Sequence, residues 1–230
     1  MEARSLVEFL LKKIGKNKVA LSFPNKQTHI YWHKAQLASK RFYSMTALSN
    51  LEPSEVLENE ASLDARKIRF EINRIKLPIG IEGTFGVIKH PGASIAVPIT
   101  NDGQVVLLRQ YRFALSRRIL EFPAGTLEEG EDPLSSMKRE LAEEAGYQAS
   151  TWSPLGQMSP CPGYSNEIIH MYLARDLSKM KEQPSGDEDE DLEVLHMTKD
   201  ELNNCIANGD ELLDGKSITA WFRACQVLKS

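Results

Sequence analysis

The order of periodic segments predicts an α/β domain, a mixed sheet with helices on its faces. Three observations lead there. Short runs with β-type alternation or β-branched content recur between Lys67 and Met197. A helix with clear start and stop signals, residues 133–145, interrupts them. Two further helical segments close the chain. At 230 residues there is room for one substantial domain and an extra segment.

The strands come first. Lys67 to Leu77 alternates apolar and polar, with Ile68, Phe70 and Ile72 two apart and Ile75 nearby. Pro78-Ile79-Gly80 marks a turn. Gly83 to His90 and Ala93 to Pro98 follow as strands. Asn101-Asp102-Gly103 reads as a hairpin turn, because Asp-Gly readily takes the positive φ that tight turns need. Gln104 to Tyr111, rich in Val and Leu, is a buried strand, and Ile119 to Phe122 a short one. Past the helix, Thr151 to Gln157, Ile168 to Ala174 and Glu193 to Met197 continue the sheet. Thr198-x-x-Glu201 is a capping box that opens a helix to about Ala207. Ser217 to Leu228 is the last helix, with Ile218, Trp221, Phe222 and Cys225 as its apolar stripe.

The central helix carries the chemistry. Asp132 is a favoured N-cap, and Pro133 fits the first helical position, whose N–H has no partner in any case. Good helix formers then run to Ala145, and Gly146 stands where a left-handed C-cap glycine belongs. Glu140, Glu143 and Glu144 are spaced i, i+3, i+4, so their carboxylates emerge on one face. Like charges packed this way destabilise a helix unless something neutralises them, and hard cations such as Mg²⁺ prefer carboxylate oxygens. Taken alone, Glu143-Glu144 reads as a solvated acidic face, with Arg139 and Glu143 an ordinary i,i+4 pair. The complete spaced pattern sets the segment apart: Gly125, Glu131, then Arg139-Glu140-Leu141-Ala142-Glu143-Glu144-Ala145-Gly146-Tyr147.

Composition narrows the class. No apolar run approaches the roughly 20 residues of a membrane-spanning helix. The net charge of −4 argues against nucleic acid as the main partner. Cys161, Cys205 and Cys225 are scattered without a C-x-x-C, which fits a reducing, cytoplasmic setting and no zinc or disulfide framework. Cys161 reads as a bystander thiol near a loop of interest. Residues 1–44 hold nine Lys or Arg, two Glu and no Asp, net +7, against −11 for residues 45–230. Ser5 to Ile14 could form a short amphipathic helix. Three readings of this segment stand side by side: a targeting presequence for an organelle, a small structural extension, or a stretch preceding a native start at Met45. The expected division is therefore a basic extension, 1–44, and a domain, 45–230, whose N-terminal strands start near residue 66.

The Gly125 to Tyr147 pattern resembles the Nudix box, with every fixed position filled. The resemblance implies a Nudix α/β/α sandwich with a mixed sheet, preceded by N-terminal β-strands, and Mg²⁺-dependent hydrolysis of a nucleoside diphosphate linked to another group. Mn²⁺ is the alternative ion. His90-Pro91-Gly92-Ala93, Arg109-Gln110-Tyr111-Arg112 and Glu121-Phe122-Pro123-Ala124-Gly125 are similar to the ADP-ribose pyrophosphatase branch. So is Ser159-Pro160-Cys161-Pro162-Gly163-Tyr164-Ser165-Asn166-Glu167, except that Cys161 is inserted after Ser-Pro. The branch implies ADP-ribose and water giving AMP and ribose 5-phosphate. Another nucleoside diphosphate sugar is the close alternative, and a non-catalytic nucleotide-sensing domain the third.

The same resemblance distributes roles. Glu140 and Glu144 would be the main metal ligands, Glu143 would assist a further ion, and the Ala124 carbonyl would complete a metal shell. Glu131 would support the box loop and Arg139 would orient a box carboxylate. Arg112 would meet a phosphate, its planar guanidinium suiting two oxygens at once, although a surface strand arginine is an equal reading. Glu121 is expected on the ribose or adenine side, and Pro162 in the substrate loop. The general base would come from the acidic loop 185–192, with Glu188 ahead of Glu190. Phe70, Tyr111, Phe113 and Tyr164 are candidates for adenine contact or simply for core. The branch also implies a homodimer built through the N-terminal strands.

Overall fold

Residues 53–185 and 191–229 are described by the computed structural model. The expected boundary at 44/45 and the Ser5 to Ile14 helix lie outside those residues. The chain opens on an antiparallel sheet, β1 (Glu55–Ala65), β2 (Ile68–Lys76) and β3 (Glu82–Lys89), in that order. There follow β4 (Ala93–Pro98), β5 (Val105–Arg112), a 3-10 turn (Phe113–Leu115), β6 (Arg117–Glu121) and β7 (Ala124–Thr126). Helix α1 (Pro133–Ala145) leads to β8 (Tyr147–Met158), β9 (Ile169–Lys179) and β10 (Leu192–Met197). Helices α2 (Lys199–Asn208) and α3 (Gly215–Val227) end the fold.

The central strands form two sheets, β7-β4-β9-β8 and β10-β5-β6. Their pairings are antiparallel except for β4 with β9, which run parallel. β4 is buried along its whole length, as a strand covered on both faces must be. Side-chain alternation then divides the interior. Ile95, Val97, Val105 and Leu107 pack with Leu202 of α2 and with Ala220 and Trp221 of α3. Ala96, Val106 and Leu108 pack with Met137, Leu141 and Ala145 of α1. Each fully buried Leu or Ile stabilises the domain by roughly 1.5–3 kcal/mol. The result is helix, sheet, helix: the predicted mixed α/β/α arrangement with an N-terminal sheet before it.

The local signals behave as their chemistry requires. Asp132 caps α1 by accepting from Ser135 N–H at 2.9 Å, and Gly146 ends it at φ 70°. Thr198 and Glu201 form the reciprocal capping box of α2.

Three expectations need correction. The first strand begins at Glu55, not near 66. Its sequence, EVLENEASLDA, buries almost nothing, so no alternation marks it, and it is held by backbone pairing to β2. β8 and β9 run longer than their predicted stretches because their outer ends also pair, Tyr147 opposite Lys179 and Ala149 opposite the buried Leu177. The apolar stripe of α3 is shifted. Ser217, Ala220, Trp221 and Ala224 face the core, while Ile218 is exposed and Phe222 is 65 % exposed. Small residues allow the helix to approach the sheet closely, a choice that size-blind hydrophobic periodicity does not reveal.

Candidate active site

The box loop and α1 are fastened to the sheet before any acid is placed. Ser94 of β4 donates its hydroxyl to Pro133 O at 2.8 Å, which pins the start of the helix. At the other end of the helix, Glu144 accepts the Ala124 N–H at 2.9 Å. Glu140 and Glu144 are 7 % and 2 % exposed. Gly125 explains the first fixed glycine of the box: a Cβ there would overlap the Glu140 carboxylate. Arg139 gathers the remaining acids, reaching Glu140 at 2.8 Å, Glu143 at 2.9 Å and Glu131 at 3.3 Å. Burial would lower the Arg139 pKa, but hydrogen bonds and charge from those three carboxylates raise it overall. Glu131 also accepts Glu128 N–H at 3.1 Å, closing the box loop on itself.

A cleft of about 480 Å³ runs past this helix, lined by Glu140, Ala124 and Gly125. That volume suits a nucleotide-sized ligand. Another wall is cationic. Arg112, at the end of β5, and Lys216, in the first turn of α3, both line the cleft. Beneath them lies Glu121, 1 % exposed. Arg112 grips it with Nε at 2.5 Å and Nη2 at 2.8 Å, and Lys216 donates to it and to Asp214. Burial would raise the Glu121 pKa, yet the Arg112 hydrogen bond and the Lys216 charge bring it down to about 2. The Arg112 pKa is raised, chiefly by its hydrogen bond to Glu121. The third side of the cleft includes His90, Cys161 and Glu167. This loop is tied to β3 by Ile88 N–H to Tyr164 O at 2.7 Å and His90 N–H to the Asn166 side chain at 2.8 Å.

The sequence-derived residues fall into five groups. Arg112, Ala124 and Glu140 line one cleft, and Glu143 and Glu144 lie on the same helix as Glu140. Glu121 is buried behind the wall with Arg112 and Lys216 on its oxygens. Pro162 is exposed, and its neighbours Pro160 and Cys161 are the lining residues. Glu188 and Glu190 lie outside the described residues. Phe70, Tyr111, Phe113 and Tyr164 are all exposed and none lines the cleft; the reading of them as core is corrected. Sequence reading missed Lys216 and Asp214. Their signal was present as Asp-Gly-Lys-Ser: Asp214 is the N-cap of α3, accepting Ser217 N–H at 2.7 Å.

No three His, Cys, Asp or Glu side chains among the described residues stand as a ready-made metal shell; Arg139 holds Glu140 and Glu143 to itself. The donor chemistry nevertheless fits a hard divalent cation: carboxylates on one helix face, two of them almost buried, beside a strand–loop junction.

Known proteins resemble this chain in sequence and in fold. A NUDIX domain profile matches residues 89–222. A methanol dehydrogenase activator of Bacillus methanolicus is 34 % identical over 173 residues, covering 75 % of this chain and 93 % of its own. An ADP-ribose pyrophosphatase of Bacillus subtilis is 33 % identical over 166 residues, 72 % of this chain and 89 % of its own. A GDP-mannose pyrophosphatase of Escherichia coli is 33 % identical over 134 residues, 55 % of this chain and 69 % of its own. A crystal structure of an ADP compounds hydrolase shares the fold, with TM-score 0.67 and 24 % identity, over 78 % of this chain and 96 % of its own.

Proposed function

This chain belongs to the Nudix family, in its ADP-ribose pyrophosphatase branch, and we propose that it hydrolyses ADP-ribose to AMP and ribose 5-phosphate. The observation that carries the reading is the shared cleft: Glu140 of the box helix and the Arg112–Lys216 wall line the same space. A diphosphate is the group that such a pairing of metal-binding acids and directed cations receives.

In this reading Mg²⁺, or Mn²⁺ in its place, would be held by Glu140 and Glu144, with Glu143 and the Ala124 carbonyl contributing. Bound there, it would supply charge neutralisation on the diphosphate and an activated water. Arg112 orients a phosphate through guanidinium donors not engaged by Glu121. Glu121 acts as a positioning residue for Arg112 rather than as a contact to ribose or adenine, since both its oxygens are occupied beneath the wall. Arg139 sets the rotamers of Glu140 and Glu143. Glu188 or Glu190 takes the proton from the attacking water, and Pro162 shapes the loop whose neighbours Pro160 and Cys161 line the cleft.

The same reading includes a homodimer in a cytoplasmic setting, with residues 1–44 as an extension of the 45–230 domain. Support for the dimer lies in the N-terminal sheet, where Leu63 and Phe70 stand directly opposite on neighbouring strands and both are exposed. No described helix is long and apolar enough to cross a membrane.

GDP-mannose is the second substrate to weigh, because a relative of that name matches at similar identity. AMP or GMP release from ADP-ribose, GDP-mannose, UDP-glucose and NADH, with Mg²⁺ and then with EDTA, tests the reading. ADP-ribose is expected to be preferred, and chelation to stop turnover. A preference for GDP-mannose moves the substrate but keeps the chemistry; no release from any of them rejects the hydrolase reading.

A further inference from the structure

We propose that Lys216 is a second phosphate-facing cation of the cleft, set beside Arg112 by the buried carboxylate of Glu121. The identity of the ligand rests on the hydrolase reading above; the geometry does not. Arg112 and Lys216 come from distant parts of the chain, the end of β5 and the first turn of α3. Glu121, the last residue of β6, joins them.

A guanidinium carries five N–H groups and an ammonium three. Arg112 gives Nε and one Nη2 hydrogen to Glu121, at 2.5 and 2.8 Å. Its Nη1 meets no acceptor among the described residues. Lys216 donates to Glu121 and Asp214, and its remaining N–H has no protein acceptor among the described residues. Both side chains line the cleft. Each cation is therefore anchored at one edge and presents its other donors to whatever occupies the space.

A purely structural role for Lys216 explains less. Arg112 already satisfies both Glu121 oxygens, so the buried acid does not need a second cation. Asp214 does not need one either, because it caps α3 through Ser217 N–H at 2.7 Å. The four groups sum to zero charge, so the wall acts through directed donors rather than through net attraction. A diphosphate offers several charged acceptor oxygens for such donors, and charge-assisted hydrogen bonds are the strong ones.

The test is ADP-ribose affinity by calorimetry in EDTA, where turnover is stopped, for the full chain and for Lys216→Met and Lys216→Arg. Melting temperatures are recorded alongside. We expect Kd to rise about tenfold or more in Lys216→Met and to return to within about threefold of wild type in Lys216→Arg. In Mg²⁺ the methionine variant should show the loss in KM, with kcat held within about threefold. Lys216→Gln carries the same comparison should the methionine variant not fold. Equal Kd in wild type and the neutral variants overturns the proposal, whatever the melting temperatures. So does a wild-type protein that binds no ADP-ribose. Binding without hydrolysis rejects the hydrolase reading alone and leaves Lys216 to be decided by the Kd comparison.

Discussion

On the box helix, Arg139 serves three carboxylates, Glu131, Glu140 and Glu143. On the other wall one carboxylate, Glu121, serves two cations, Arg112 and Lys216. Both clusters are largely withdrawn from water, where unpaired charge is costly. The acid cluster carries more carboxylates than Arg139 can balance, whereas the Glu121 cluster is balanced within the protein once Asp214 is included. One wall should therefore matter mostly for activity, the other for stability as well.

The two walls differ most at Glu121. Glu121→Ala leaves two cations without their buried partner, and a cost of about 3–5 kcal/mol in denaturant unfolding is expected. A loss under about 1 kcal/mol would mean that Asp214 and solvent suffice. Acid sharpens the same point. The carboxyl is held at about 2 in the fold, below its ordinary value of roughly 4.3. Its contribution to stability is thus whole above about pH 5 and lost as pH falls through about 2. Glu121→Gln should remove that part of the acid limb, which pH-dependent unfolding of the two proteins would reveal.

On the acid wall the expected signature is reversed. Glu140→Gln or Glu144→Gln should lower kcat by at least about 100-fold, with melting temperature close to wild type. Full activity in both variants would remove them from the metal assignment. A smaller effect belongs to Gly125→Ala, whose Cβ would displace the Glu140 carboxylate. About 1–3 kcal/mol of stability and a parallel fall in kcat are expected, and unchanged kinetics would show that Glu140 has room to move. Smallest is Phe222→Ser. Its side chain is exposed, unlike that of Trp221, so the change should stay within about 0.5 kcal/mol. A larger loss would restore Phe222 to a buried stripe or point to a partner covering it.

The sequence by itself determined α1, its caps and the common face of Glu140, Glu143 and Glu144, because capping chemistry and helical spacing are local. It also determined β4 and β5, whose apolar stretches, Ile95 to Val97 and Val105 to Leu108, mark buried strands. Tertiary structure alone decided the rest. β1 escaped notice because an exposed strand is held by backbone bonds that leave no pattern in side chains. The burial of Glu121, and the arrival of Lys216 from α3, depend on segments far apart in the chain. That Pro160 and Cys161 line the cleft beside Pro162 has the same reason: the loop's orientation is fixed by its ties near β3. Local energies write themselves into short stretches of sequence, while a charge wall assembled from three elements exists only once the core has brought them together.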